Sequence, residues 1–427
     1  MLDSRLRGND GAHGYWFPGM AQVAQRGTLR PPQRRSLPMF NILVLNQISS
    51  NGLKRLPAER YKASKDVARP DAVLVRSADM HTLDIASSVK AIARAGAGTN
   101  NIPVKAMSAR GVPVFNAPGA NANAVKELVL TGMLIAARNV APALRFVSAL
   151  DAKNPEMEKV VEDGKKNFAG FELAGRTLGI VGLGKIGCLV ADAAIKLGMN
   201  VLGYDPEITV DAAWSLPAQV KKAASVAEVM KNAHFITLHV PLVDATRDLV
   251  NADNLNLMRA GTVLLNFSRE GVVSEKAVLA SLNAKHLGWY VCDFPSAVVN
   301  GHEKVVALPH LGASTAEAEE NCAIMVVDQL IDYLEHGNVS NAVNFPNVSM
   351  SRESAYRVAI ANANVPNMLG QISGAMARAG LNIHNMVNKS RGDMAYTLVD
   401  VDSPVTAAVL QGLTAIDGVL SVRYLPQ

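Results

Sequence analysis

Cysteine is the scarcest informative residue: Cys188, Cys292 and Cys322 are the only three in 427 positions. They are far apart, odd in number and form no CxxC pair. That argues against a disulfide scaffold and a thiolate metal site, and it suits a reducing cytosol. A membrane-spanning run is also lacking. The longest apolar stretch in a helical context, residues 128–137, is about ten residues, roughly half of what a bilayer needs. The N-terminal segment has no apolar h-region, so it does not read as a secretory signal. Charge excess is missing from the body as well. The formal net charge is +5, but residues 1–38 carry six arginines (Arg5, Arg7, Arg26, Arg30, Arg34, Arg35) against Asp3 and Asp10. The remainder is close to neutral, which gives no basis for nucleic-acid binding.

What is present is a core. Hydrophobic residues make up 49% and charged residues 19%, enough apolar surface for two or three globular domains. The scattered arginines of residues 1–38 show no amphipathic period, and we expect a disordered extension there. Met39 directly precedes Phe40-Asn41-Ile42-Leu43-Val44-Leu45, which reads as a first strand.

From there strands and helices alternate. Strands are expected at 41–48, 72–76, 89–94 and 112–116, followed by a helix over 123–139. A second series has strands at 178–182, 200–204, 234–240, 262–266, 287–293 and 304–308, with helices near 186–197, 223–231 and 274–284. This pattern predicts parallel sheets covered by helices, the second being a complete doubly wound nucleotide fold. A long helix is expected from Ser314 to His336, stopped by Gly337, with Ser314-Thr315-Ala316-Glu317 as a capping box. Residues 337–353 are rich in Asn, Ser and Pro and read as a linker. Residues 355–427 then read strand, helix, strand, strand, helix, strand, a βαββαβ ferredoxin-like unit.

The strongest motif is Gly182-Leu183-Gly184-Lys185-Ile186-Gly187, after the strand Leu178-Gly179-Ile180-Val181 and at the start of a helix. Its glycines permit a tight turn, a close backbone approach to a pyrophosphate, and close helix–strand packing. Asp205 ends the next strand, 18 residues beyond Gly187. A carboxylate there accepts ribose hydroxyls and repels a 2′-phosphate, which favours NAD over NADP. Ligands of such folds lie at the carboxyl ends of strands. Arg269, in Asn266-Phe267-Ser268-Arg269-Glu270-Gly271, stands just past one such end. His310, in Pro309-His310-Leu311-Gly312-Ala313-Ser314-Thr315, stands past another. A guanidinium to grip a carboxylate and a base near neutral pKa are what oxidation of a 2-hydroxy acid requires. On spacing alone each is equally readable as a structural residue.

Residues 40–345 resemble the D-isomer-specific 2-hydroxyacid dehydrogenases. The resemblance rests on GLGKIG, on LHVPL (Leu238 to Leu242), on NFSREG and on PHLGAST, in the family's order. The C-terminal unit resembles an ACT domain. The resemblance implies a Rossmann NAD domain (141–314) inserted in a discontinuous flavodoxin-like substrate domain (39–140 and 315–345), followed by an ACT regulatory domain (353–427). It implies catalytic roles for Arg269 and His310, and no metal. It places NAD against Gly182, Gly184, Lys185, Ile186, Gly187, Asp205, His239, Pro241, Asp293 and Gly312. It places substrate against Arg76 (for a phosphate), Ala97 and Gly98 (backbone N–H groups) and Asn116. The ACT-tailed branch implies oxidation of 3-phosphoglycerate to 3-phosphohydroxypyruvate at the entry to serine synthesis, in a cytoplasmic homo-oligomer, dimer or tetramer. Alternatives are a glycerate or hydroxypyruvate reductase, or an NAD-responsive binding protein without turnover.

Two departures stand out. Many relatives carry a glutamate that pairs with the catalytic histidine; here the position is Val298. We therefore expect His310 to work without that carboxylate or to borrow one, with Glu303 and Glu317 nearby in sequence. In the C-terminal unit Asn362, Asn364 and Asn382 match positions that bind L-serine in regulated relatives. Asn367 stands where the family has Gly, and Asn tolerates a left-handed backbone better than most residues.

Overall fold

A computed structural model describes residues 39–427. The expectation of a disordered extension at 1–38 falls outside the described residues. The first sheet holds β1 (Phe40–Val44), β2 (Tyr61–Ser64), β3 (Ala72–Val75), β4 (Ala91–Arg94) and β5 (Val114–Phe115). All pairings are parallel and the order is β2-β1-β3-β4-β5, the flavodoxin-like arrangement. Both faces are buried, so alternate side chains enter different cores. Ala72 and Leu74 pack with the long helix, while Val73 and Val75 pack with Met80, Ile92 and Met107. The sequence reading missed β2, an edge strand whose central residues Lys62 and Ala63 are exposed.

The second sheet holds β6 (Thr177–Val181), β7 (Asn200–Tyr204), β8 (Lys221–Lys222), β9 (Phe235–Leu238), β10 (Thr262–Asn266), β11 (Leu287–Cys292) and β12 (Val305–Ala307). The order β12-β11-β10-β9-β6-β7-β8 is doubly wound and reverses at β6. The six expected strands are present, and the two-residue β8 adds an edge.

The long helix runs Ala316–His336, with Gly337 in the left-handed conformation at its C-cap. Its N-cap is Thr315, whose hydroxyl accepts the Ala318 N–H at 3.1 Å. The expected Ser314/Glu317 capping box does not form: the cap sits one residue on, at Thr315, and N3 is Ala318, which cannot return a bond. Cys322, Ala323, Val326, Val327, Leu330, Tyr333 and Leu334 form its buried stripe against the first sheet.

Residues 338–350 are not a free linker. Val339, Ala342, Phe345, Val348 and Met350 are buried in the first core. The asparagines that suggested a linker act as mortar. Asn344 accepts the Val114 N–H at 2.9 Å and donates to the Val112 carbonyl at 3.0 Å, while Asn338 accepts the Met350 N–H at 3.1 Å.

The C-terminal unit has β13 (Tyr356–Ala363), β14 (Ile383–Arg391), β15 (Met394–Val401) and β16 (Val419–Pro426) in the order β14-β15-β13-β16, all antiparallel. Helices Met368–Arg378 and Ala407–Thr414 cover one face. The other face, with Ala359, Ala361, Tyr396, Leu398 and Leu425, closes the first core. Asn367 has φ +63°, as its residue type allows.

This unit captures the carboxyl end of the long helix. Arg423 donates to the Tyr333 and Leu334 carbonyls at 3.0 and 2.8 Å, and the Tyr396 hydroxyl donates to Gly337 O at 2.8 Å. Arg357 is fully buried and spends all five N–H groups. Two go to Asp400 (2.6 and 2.9 Å), and three go to the carbonyls of His336, Met350 and Ser351 (3.0 Å each). Removing one partner of such a pair strands a buried charge. Arg357→Ala should cost about 3–5 kcal/mol in urea unfolding. The double variant Arg357→Met/Asp400→Leu should recover most of that loss.

Candidate active site

Three glycines shape the loop after β6 for different reasons. Gly182 has φ +95°, and a Cβ there would stand 2.4 Å from the His239 carbonyl oxygen. A Cβ on Gly187 would stand 2.1 Å from the Gly182 carbonyl oxygen. Both are demanded by the protein's own backbone. Gly184, the N-cap of the helix Lys185–Lys196, is different: a Cβ there would meet nothing within 4 Å. That leaves a cradle at a helix N-terminus, where free N–H groups and the helix dipole favour a pyrophosphate. Ile186 packs into the core beneath. Lys185 reaches the opposite wall, its Nζ 3.4 Å from the Pro118 carbonyl.

Asp205 accepts the Leu183 N–H at 2.8 Å and the Glu207 N–H at 2.9 Å. Its carboxylate thus holds the glycine loop. Past β9, His239 places Nε2 3.1 Å from the Thr237 hydroxyl, while Nδ1 is covered and without a partner. Burial pushes this imidazole down to about 4, so it is neutral at physiological pH. The Pro241 carbonyl accepts the Thr246 hydroxyl at 2.5 Å, fixing the loop.

The catalytic candidates lie at the ends of β10, β11 and β12. Buried Asn266 donates to the Arg269 carbonyl at 3.0 Å and accepts from Ser268, which sets the loop and leaves the Arg269 side chain exposed. Arg269 Nη1 donates to the Ser268 carbonyl at 2.6 Å. His310 is left-handed, φ +47°, and its N–H is held by the Asp293 carbonyl at 2.9 Å. Asp293 is 2% exposed and its Oδ1 has no partner. Burial raises its carboxyl above the usual range, while the charges of His310 and Arg269 and the N–H of Gly312 pull the other way. Arg269, His310, Asp293 and Gly312 therefore converge. An orphaned buried acceptor beside this edge, with the open glycine cradle and Asp205, fits NAD.

On the facing sheet Arg76 follows β3, and Asn116, which follows β5, donates to the Ala97 carbonyl at 2.5 Å. The loop carrying Ala97 and Gly98 starts at Arg94, which the sequence reading overlooked. Arg94 Nε donates to the Arg76 carbonyl at 3.1 Å. Burial lowers its guanidinium pKa, and the cations Arg76 and Arg269 lower it further. Three guanidiniums thus share one mouth of the cleft. The signal was available: Arg94 is a cation at a strand end ahead of a Gly-rich loop, the same logic that marked Arg269.

Among the described residues, no carboxylate bonds to the His310 ring. Val298 is 38% exposed. Glu303 precedes β12, at the end opposite His310, and shares a cavity with Trp289 and Lys304. Glu317 faces a separate cavity beside Asn123 and Glu127. The ring instead lies against Phe294, centroids 4.4 Å apart. The three asparagines matched to effector positions have separate settings. Asn362 is buried and donates to the Ala363 carbonyl, Asn364 donates to Gly392 O, and Asn382 lines a groove.

Gly187→Ala should push the helix off the strand at a cost of about 1–3 kcal/mol. NADH affinity by fluorescence titration should fall at least tenfold. His239 is neutral when folded and takes up a proton when unfolded, so stability should drop as pH falls from about 6.5 to about 4. That drop should be smaller in His239→Gln, read from urea midpoints across the pH series.

Comparison with known proteins places these features. Residues 130–312 match the family model "D-isomer specific 2-hydroxyacid dehydrogenase, NAD binding domain". The D-3-phosphoglycerate dehydrogenase of Escherichia coli K12 is 31% identical over 367 residues, covering 82% of this chain and 86% of that protein. The enzyme of the same name from Methanocaldococcus jannaschii is 35% identical over 291 residues, 66% of this chain, which spans about half (53%) of that longer protein. The Thermus thermophilus protein TT0316 superposes with a TM-score of 0.57 at 26% identity, covering 71% of this chain and all of that one. With NAD as its cofactor, the chain belongs to the D-isomer specific 2-hydroxyacid dehydrogenases.

Proposed function

We propose that the protein oxidises 3-phospho-D-glycerate to 3-phosphohydroxypyruvate with NAD, the step that opens serine synthesis. The observation that carries this reading is the grouping of Arg94, bonded to the Arg76 carbonyl at 3.1 Å, with Arg76 and Arg269, both near enough to lower its pKa. A simple hydroxy acid needs one such cation, whereas a carboxylate plus a phosphate dianion calls for more. The names of the E. coli and M. jannaschii relatives support the same substrate.

NAD, when bound, supplies the hydride acceptor. Arg269 grips the substrate carboxylate and polarises the C2 oxygen. His310 takes the C2 hydroxyl proton as the carbonyl forms. The N–H groups of the loop at Ala97 and Gly98 orient the carboxylate, with Asn116 bracing that loop, and Arg76 and Arg94 hold the phosphate. Buried Asp293, with its unpaired oxygen, orients the nicotinamide amide. We divide the chain into a substrate lobe (39–140 and 315–345), an NAD lobe (141–314) and an ACT unit (353–427).

The groove beside Asn382, about 410 Å³ and lined by Gly370, Ser373, Gly374 and Ala377, has room for a small amino acid such as L-serine. Exposed Leu134, Leu144 and Val147 on the helices Ala122–Ala137 and Val140–Ser148 support association with a second copy. Among the described residues no single helix is long and apolar enough to cross a membrane, and the three cysteines are free. Both points fit a cytoplasmic enzyme.

NADH formation should be far faster with 3-phosphoglycerate than with D-glycerate. Arg76→Ala should abolish that preference. His310→Ala should lower kcat by about 10²–10⁴, and Arg269→Ala should cost about 1.5–3 kcal/mol per charged hydrogen bond lost, read from kcat/KM. Turnover confined to the unphosphorylated acid would overturn the reading.

A further inference from the structure

Among the described residues, one carboxylate is bonded to the cation cluster. Glu319, in the first turn of the long helix, pairs with Arg76 Nη2 across 243 residues of sequence. Among the described residues, Arg94 and Arg269 have no ion-pair partner. Arg94 bonds to the Arg76 carbonyl and lies over Gly96, and Arg269 bonds to the Ser268 carbonyl. Cys322, three residues on from Glu319, faces Arg94 and Arg76, but burial pushes its thiol up and keeps it neutral. Glu319 is thus the internal anion of a seat built for an external one.

We propose that Glu319 is a specificity-determining residue that competes with the substrate's distal anion for Arg76. This rests on the phosphate reading of Arg76. A carboxylate already on that guanidinium repels any second anion brought to it. A phosphate dianion, with three acceptor oxygens, can take Arg76 and engage Arg94 at the same time. A weaker anion, or a hydroxyl in its place, cannot displace Glu319. The carboxylate therefore costs affinity for every anion while sorting strong ones from weak. Both side chains are partly exposed, 36% for Arg76 and 41% for Glu319, so Glu319 has space to swing away without disturbing the core. Its helix is anchored by the Thr315 cap only four residues earlier, directly after the His310 loop, so the exchange takes place beside the reacting centre.

The test is Glu319→Gln, which keeps shape and removes charge. KM for 3-phosphoglycerate should fall about tenfold, and inorganic phosphate should become a roughly tenfold stronger competitive inhibitor. Selectivity against weaker anions should narrow, read as tighter inhibition by acetate and formate. Adding Arg76→Ala should erase these gains. A raised KM in Glu319→Gln, worse in Glu319→Ala, would make Glu319 a brace for Arg76 and overturn the proposal. Unchanged constants would also overturn it. A second readout needs no turnover: thermal stabilisation of the NADH-loaded enzyme by inorganic phosphate should begin at about tenfold lower phosphate in Glu319→Gln. Wild-type enzyme that is inert toward 3-phosphoglycerate would sink the proposed function, while the phosphate stabilisation would still decide the role of Glu319.

Discussion

A guanidinium without access to water survives only if every N–H finds an acceptor, and Arg357 meets that condition. Its bonds join three pieces that are distant in sequence: Asp400 in β15, the His336 carbonyl at the end of the long helix, and the Met350 and Ser351 carbonyls of the packed connection. Burial works against ionised Asp400, yet the bonds from Arg357 and the Glu353 N–H bring its pKa below the usual carboxylate range. The result fixes the carboxyl end of the long helix, where the backbone leaves carbonyls unpaired and the dipole favours cations. Arg423 serves the same end and stacks on Tyr333, 4.3 Å from its ring centre. The amino end of that helix begins just past His310 and carries Glu319. One rigid rod therefore runs from the C-terminal sheet to the mouth of the cleft.

The cleft divides its electrostatics between two walls. On the NAD side the positive contribution is backbone: free N–H groups at Gly184 and the helix behind it. On the facing sheet it is side chains, Arg76 and Arg94, with Arg269 of the first wall near enough to lower the Arg94 pKa. His239 is held uncharged by burial, and Cys292 is pushed up to about 12, burial first and Glu275 second. Burial thus keeps both groups uncharged. Charge is reserved for anion binding and proton transfer.

Much of this was legible in the sequence because parallel strands buried on both faces leave continuous apolar runs, such as Val263-Leu264-Leu265 and Trp289-Tyr290-Val291. The glycine loop was legible because its backbone tolerates no substitute at Gly182 and Gly187. Edge strands were not. Tyr61–Ser64 and Lys221–Lys222 are short and half-solvated, so their patterns carry no hydrophobic signal. Residues 338–350 misled for a subtler reason. Asn is common in solvated linkers, but here it supplies hydrogen bonds to otherwise unpaired backbone groups at the β5 edge, which composition cannot distinguish. Glu319 was invisible because its partner lies 243 residues away, in another element.

The histidine shows how a missing residue is met by geometry. A base must present a defined nitrogen to its substrate, and a carboxylate partner is one way to fix the ring. Here the backbone and an aromatic ring share the task. The left-handed conformation of His310, φ +47°, turns its side chain out of the β12 direction, and the bond from its N–H to the Asp293 carbonyl locks that turn. Phe294, the next residue after Asp293, then lays its ring against the imidazole at 45°. Both constraints issue from the end of β11, so the segment that carries the buried Asp293 also aims the imidazole. This tilted contact restrains the ring without adding a negative charge. Among the described residues, that leaves Glu319 as the one carboxylate bonded to any of Arg76, Arg94 and Arg269.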